Sequence, residues 1–253
     1  GFSLLISGLL IKYIGWQGVI FITSCLSIIA SILMMFIKIP VLKSNENSLK
    51  IQWNVIKRVL KKKNLLVNAG YAGHTWELYA MWAWIGPFLV YYYGVQGLEQ
   101  TEAIRYGNIT GALVIMIGGI ATYVGGKLSD QFGHIKVANV FLMISISCSI
   151  MIGWLDSVPL MVMFIVLFIY GFSIVADSPI YNVAITNVSD PEVIGLALGV
   201  QSVIGFSVTI FSPMIFGFLL EAFSWGIAFM VIGLVTIISP ICMLVLKKHQ
   251  SIS

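Results

Sequence analysis

The stretch GNITGALVIMIGGIATYVGGKLSDQFGHIKVANVFLMISISCSIMIGW, residues 107–154, holds two apolar runs, 107–127 and 137–154, joined by a polar connection of nine residues. A helix needs about 20 apolar residues to cross a hydrocarbon layer roughly 30 Å thick, and each run approaches that length. Two such runs with so little chain between them read as a helical hairpin crossing a membrane twice. The same pattern continues in both directions. After an N-terminal stub, the spans fall at about 16–37, 65–92, 107–127, 137–154, 159–182, 193–219 and 225–246. Most connections are short; the exception, Lys38–Asn64, is polar, contains SNENS and ends in the basic run KRVLKKK. The expected fold class is therefore all-α, a polytopic membrane protein built as a helical bundle.

Composition agrees with that reading. The 253 residues are 59% hydrophobic and 9% charged, against about 45–50% and about 25% in a soluble domain. So few charges cannot cover a water-facing exterior, which excludes a soluble enzyme. Cys25, Cys148 and Cys242 stand singly within apolar runs, without the paired spacing of a metal or redox site. No Gly-rich loop with Lys and Ser or Thr appears, so no phosphate-driven pump domain is expected, and no cofactor is implied. The chain opens on Gly1 in GFSLLISGLL, without the basic flank and cleavage site of a signal peptide; it reads as entered partway through a longer protein.

Charge is distributed unevenly. Alternating the spans places Lys38, Lys43, Lys50, Lys57, Arg58, Lys61, Lys62, Lys63, Lys127, Lys136, Lys247 and Lys248 on one side, and only Lys12 and Arg105 on the other. The positive-inside rule makes the rich side cytoplasmic, with the C-terminus and the 38–64 loop. Juxtamembrane lysines then meet anionic lipid, and a nucleic acid partner is not expected. A repeat also shows: Gly8 to Trp16 has the spacing of Gly217 to Trp225, and Trp16 to Lys38 that of Trp225 to Lys247, both at an offset of 209 residues. Duplicated halves are a common transporter architecture. Extended upstream, this offset predicts twelve spans in two sixes, of which this chain supplies the last seven and a stub.

The connection GGKLSDQFGHIK, Gly125–Lys136, resembles the signature loop of the major facilitator superfamily. Gly126, Leu128, Asp130, Gly133 and Lys136 match its pattern, while Gln131 and His134 stand where that family usually has basic residues. The resemblance implies a secondary transporter working by alternating access. Residues 1–37 would be the end of an N-terminal six-helix bundle, 38–64 the interdomain loop and 65–253 the C-terminal bundle. It also implies that Gly126, Asp130, Gly133 and Lys136 form a conformational switch, with Asp130 facing the helix of which Gly1–Leu10 is the remnant. The segments GHTWELYAMWAW (73–84), ADSPIYN (176–182) and QSVIGF (201–206) are loosely similar to permeases of the nitrate and cyanate kind.

Charge within a span costs at least about 2.5–3.5 kcal/mol, so a carboxylate there needs a role. Glu77 lies twelve residues past Leu65, about 18 Å deep at 1.5 Å per residue. His74 precedes it by three residues and shares its helix face. Such a pair can pass a proton or simply lock the helix. In the fifth span Tyr170, Ser173, Asp177 and Tyr181 share a face, and Pro179 removes a backbone donor, so a helix break is expected beside Asp177. Asn108 and Gln201 begin uncharged polar stripes, Gly195 and Gly199 have the spacing of close helix contact, and Trp84 lies deep enough to line a pocket. His74, Glu77, Trp84, Asn108, Ser173, Asp177, Tyr181 and Gln201 are the candidate solute and proton residues. Apart from Asn139 at the start of the first, the polar residues of the spans 137–154 and 225–246 are Ser, Thr and Cys, and the resemblance makes these spans peripheral supports.

The expected function is movement of a small molecule or ion, with proton coupling, by a symporting permease in the plasma (inner) membrane. A transport-inactive sensor or scaffold on the same fold is the alternative. A membrane enzyme would need clustered His, Cys or carboxylates, and only His74 among three histidines lies within a span.

Overall fold

The spans read from the sequence fall on helices in the computed structural model, which describes residues 2–36 and 53–250, with 159–182 and 225–246 each divided between two helices. The elements are α1 (Phe2–Met35), α2 (Trp53–Val59), α3 (Lys62–Val95), α4 (Gln100–Phe132), α5 (His134–Ile152), α6 (Leu160–Ala176), α7 (Ser178–Val188), a 3-10 turn (Pro191–Val193), α8 (Ile194–Ala222), α9 (Trp225–Thr236) and α10 (Ile238–Gln250). No strand occurs among the described residues. Lys38, Lys43 and Lys50, counted above toward the basic side, lie outside them.

Among the described residues, six helical segments are long and apolar enough to cross a membrane: Ser3–Met35, Gln100–Phe132, His134–Ile152, Leu160–Val188, Pro191–Ala222 and Trp225–His249. At 34 residues α3 is equally long but more polar, and its polarity is turned inward. Asn64, Asn68, His74, Thr75 and Glu77 are all buried. A hydropathy window undervalues such a helix because lipid never meets those side chains. The helix occupies the middle of the bundle, packed against α4, α8 and α10 and touching α7 and α9.

Glycines set the close approaches. A Cβ on Gly171 of α6 would meet Val114 of α4, one on Gly118 would meet the Val175 side chain, and one on Gly125 would run into the Ala176 carbonyl. Gly73 faces Ser239 of α10, and the Ser239 hydroxyl donates to the Gly70 carbonyl at 2.8 Å. Small residues that let backbones approach are the usual means of joining membrane helices. Gly195 and Gly199, expected to serve this purpose, instead face open space.

At Gly15 α1 is broken, with φ 65° and ψ 179°, a conformation that favours glycine. Ser3 and Ile6 on its first limb and Thr23 and Ser27 on its second line one cleft, so the limbs face each other. The second limb opens with Trp16 after Gly15, and α9 opens with Trp225 after extended Ser224, so each repeat-related tryptophan follows a break in its helix. The first limb runs antiparallel to α4: Lys12 pairs with Glu102 at 3.2 Å, Asn108 reaches Ser7 at 3.4 Å, and Gly8 packs on Ile109.

Candidate functional site

The helix break expected near Pro179 falls at Asp177, between α6 and α7. Proline at the second position of α7 needs no amide hydrogen there, so the chain restarts its helix directly after the break. Asp177 is thus held at a helix junction and points into the bundle.

There it meets His74 of α3. The imidazole Nδ1 lies 3.0 Å from Asp177 Oδ2, and Nε2 lies 2.9 Å from the Ser178 hydroxyl. The ring therefore bridges α3 to the break and to the first residue of α7. Tyr181 flanks it, with ring centroids 5.3 Å apart, and Tyr71 lies 6.2 Å away on its own helix. Gln201 of α8 donates to the Tyr181 carbonyl at 3.2 Å.

Glu77 is turned elsewhere. Its Oε2 accepts a hydrogen bond from Ser145 of α5 at 3.1 Å, while Oε1 has no partner in the protein. Tyr170 of α6 lies beside it. The expected His74–Glu77 pairing is thus not the one formed. Three residues advance a helix by about 300°, so two side chains on one broad face can still reach different neighbours. The residues that complete the cluster, Ser145 and Ser178, were not singled out in the sequence, where a lone serine in an apolar run carries no signal. The supposedly peripheral α5 and α10 supply Ser145 and Ser239, so both take part in the interior.

Depth of burial decides what these groups can face. His74 is 2% exposed, and Glu77 and Asp177 1% each. Residues sealed within this chain alone cannot line a cleft between it and another element, because added structure only buries more. Five depressions along the described residues are lined by other side chains. In this conformation the site is a closed polar cluster inside the bundle.

The remaining candidates are dispersed. Ser173 is buried but spends its hydroxyl on the Tyr170 carbonyl. Trp84 donates Nε1–H to the Pro213 carbonyl at 2.9 Å and stacks on Phe216, which makes it part of an aromatic core with Trp225 and Phe229. Asn108 lies at the α1–α4 contact. In the loop, Gly126 faces open space, Gly133 has φ 92°, and Asp130 and Lys136 are exposed. Asp130 does not face the described part of Gly1–Leu10: Ser7 and Gly8 meet α4 around Arg105–Ile109, and Asp130 lies about 33 Å further along the helix at 1.5 Å per residue.

A second polar constellation sits at the basic end. Arg58 of α2 donates to Asp190 at 3.0 Å and Glu192 at 2.9 Å, and Lys61 reaches Asp190 at 2.9 Å. Asn64 adds a bond to Ser189 at 3.0 Å. Lys61 first and Arg58 second hold the Asp190 carboxyl below its usual value. Val59, 1% exposed, anchors the short α2 beneath this network.

The arrangement as a whole is shared with known proteins. Residues 1–213 match the sequence profile of the Major Facilitator Superfamily. A crystal structure of an auto-inhibited POT family peptide transporter superposes with a TM-score of 0.66 at 16% identity, over 74% of this chain and 37% of that one. The chain therefore spans little more than a third of that transporter's length. No curated protein matches the sequence. Since the profile match runs through most of the length and the helical bundle agrees with it, the chain belongs to the Major Facilitator Superfamily.

Proposed function

We propose that this chain is part of a secondary transporter that moves a small solute by alternating access, with a proton as the coupling ion. The observation that carries the reading is the buried cluster itself. Three titratable side chains, His74, Glu77 and Asp177, lie sealed in a membrane-spanning bundle, where uncompensated charge is costly and is retained for function. They join α3, α5 and the α6–α7 break, so a proton gained or lost there alters how three helices hold together. Coupling in this reading acts through the packing of the bundle, with the solute path running elsewhere.

Residues 1–37 then close an N-terminal bundle, 38–64 connect the halves, and 65–253 form the C-terminal bundle. The upstream half supplies the other wall of the path, which the 209-residue repeat supports. The basic end faces the cytoplasm and the protein sits in the plasma membrane, as the charge bias supports. The solute is a small ion or molecule; nitrate and cyanate follow from the segments 73–84, 176–182 and 201–206, and peptides from the fold's likeness to the POT transporter.

The test is uptake of nitrate, cyanate, dipeptides and small cations into proteoliposomes holding the full-length protein, with and without a proton gradient. Glu77→Gln is expected to abolish gradient-driven accumulation while leaving solute exchange intact. Full accumulation by that variant removes Glu77 from coupling. Binding without movement of any solute would favour the sensor reading.

A further inference from the structure

Two adjoining depressions at the basic end share a wall and have complementary chemistry. The first, about 270 Å³, lies where the first turn of α5 meets α7 and α10; His134, Lys136, Asn187 and Lys247 line it. The second, about 460 Å³, shares Ile135, Lys136 and Lys247 with the first and continues along the membrane-facing side of α5 and α10 past Val140, Met143, Ile144 and Leu244. The first carries two lysines and a histidine among apolar neighbours that include Phe132 and Leu246, and the second is an apolar furrow along two membrane-spanning helices.

We propose that these depressions together hold one anionic phospholipid, with its phosphate in the first and an acyl chain in the second. This inference is independent of the transport reading. Three features fix the polarity of the headgroup. Lys136 and Lys247 are exposed and enter no ion pair among the described residues, and no acid lines either depression. The amides of His134, Ile135 and Lys136 open α5 with no side chain capping them, and an uncapped helix start attracts a phosphate. Gly133, at φ 92°, turns the chain sharply enough to leave that start uncovered.

The lipid is favoured over a free anion by the furrow. Val140, Met143 and Leu244 are exposed side chains on spanning helices, so hydrocarbon already surrounds them, and a chain tethered to the phosphate is held at high local concentration. Basic pockets between helices on the lysine-rich side are where anionic headgroups bind in membrane proteins generally.

Native mass spectrometry of the delipidated full-length protein, titrated with phosphatidylglycerol or phosphatidylcholine, tests this. One phosphatidylglycerol should bind more tightly than any phosphatidylcholine. Lys136→Gln and Lys247→Gln should each weaken it about five-fold, the equivalent of about 1 kcal/mol per lysine. Val140→Trp should also weaken it by obstructing the furrow, with thermal stability unchanged because the site is on the surface. Equal affinity for the two lipids, or an unchanged constant in the double lysine variant, overturns the proposal. So does displacement by inorganic phosphate at concentrations comparable to the lipid's own, which would make the site one for a free ion.

Discussion

Removing His74 and Asp177 singly and together isolates the interaction on which the buried cluster depends. In His74→Leu the Asp177 carboxylate stays buried and loses the imidazole whose Nδ1 lies 3.0 Å from Oδ2. Stranding one member of a buried pair costs about 3–5 kcal/mol. In Asp177→Leu the imidazole keeps its Ser178 contact at 2.9 Å, so the loss is nearer the about 1–3 kcal/mol of a buried group short of one hydrogen bond. The double Leu variant removes both polar groups, and replacing a buried pair by apolar residues of similar size is often neutral. The double variant should therefore be at least as stable as His74→Leu alone, with a coupling of about 2–4 kcal/mol in the cycle. Reversible unfolding of the full-length protein in mixed micelles measures each corner by tryptophan emission. The result should not change in 1 M salt, since a sealed pair is poorly screened. Additivity of the two single losses within about 0.5 kcal/mol would refute the pairing and leave His74 and Asp177 as unconnected packing residues.

Neighbouring glycines give opposite outcomes. Gly125→Ala places a methyl against the Ala176 backbone and should cost about 1–3 kcal/mol in the same unfolding assay, whereas Gly126→Ala, facing open space, should be neutral. The α2 clamp should respond to salt and not to pH across 5–8. Lys61 and Arg58 lower the Asp190 carboxyl, so its contribution is complete above the unfolded value of about 3.9 and is lost only as pH falls through the lowered one. Hydrogen exchange of residues 53–61, corrected for intrinsic rates, should rise at 1 M salt, where screening reaches about 3 Å; a change between pH 5 and 8 at fixed salt would contradict the assignment. Trp84→Phe should cost about 1 kcal/mol through the lost bond to Pro213 and leave the pH dependence of uptake as it is; an altered pH profile would return Trp84 to the coupling site.

Much of the fold was legible in the sequence because lipid imposes a coarse rule: an uncharged run of about 20 residues has to be a helix. The break at Asp177 was legible for a similar reason, since proline removes a specific hydrogen bond wherever it falls. Gly15 was not. The span boundary at residue 16 was read beside it, but positive φ is one of several conformations a glycine can take, and nothing in the sequence showed that this one folds the two limbs against each other.

The candidate site shows where such rules stop. Sequence spacing correctly marked His74, Glu77 and Asp177 as buried and unusual, because the cost of charge in a membrane depends on depth alone. Choosing partners needs the third dimension. His74 and Glu77 sit one turn apart on α3, yet each is claimed by a different helix, and the deciding groups are hydroxyls on Ser178 and Ser145. Serine in an apolar span usually bonds its own helix one turn back, as Ser173 does with Tyr170. Ser145 makes that local bond too, to the Leu142 carbonyl at 3.0 Å, and also lies 3.1 Å from Glu77 Oε2, a second contact that only the packing of the helices brings about. The same packing explains why α3 can be the least apolar of the long helices and still be the centre of the bundle: its polar residues were placed to meet other helices, and hydropathy records only what they would have cost against lipid.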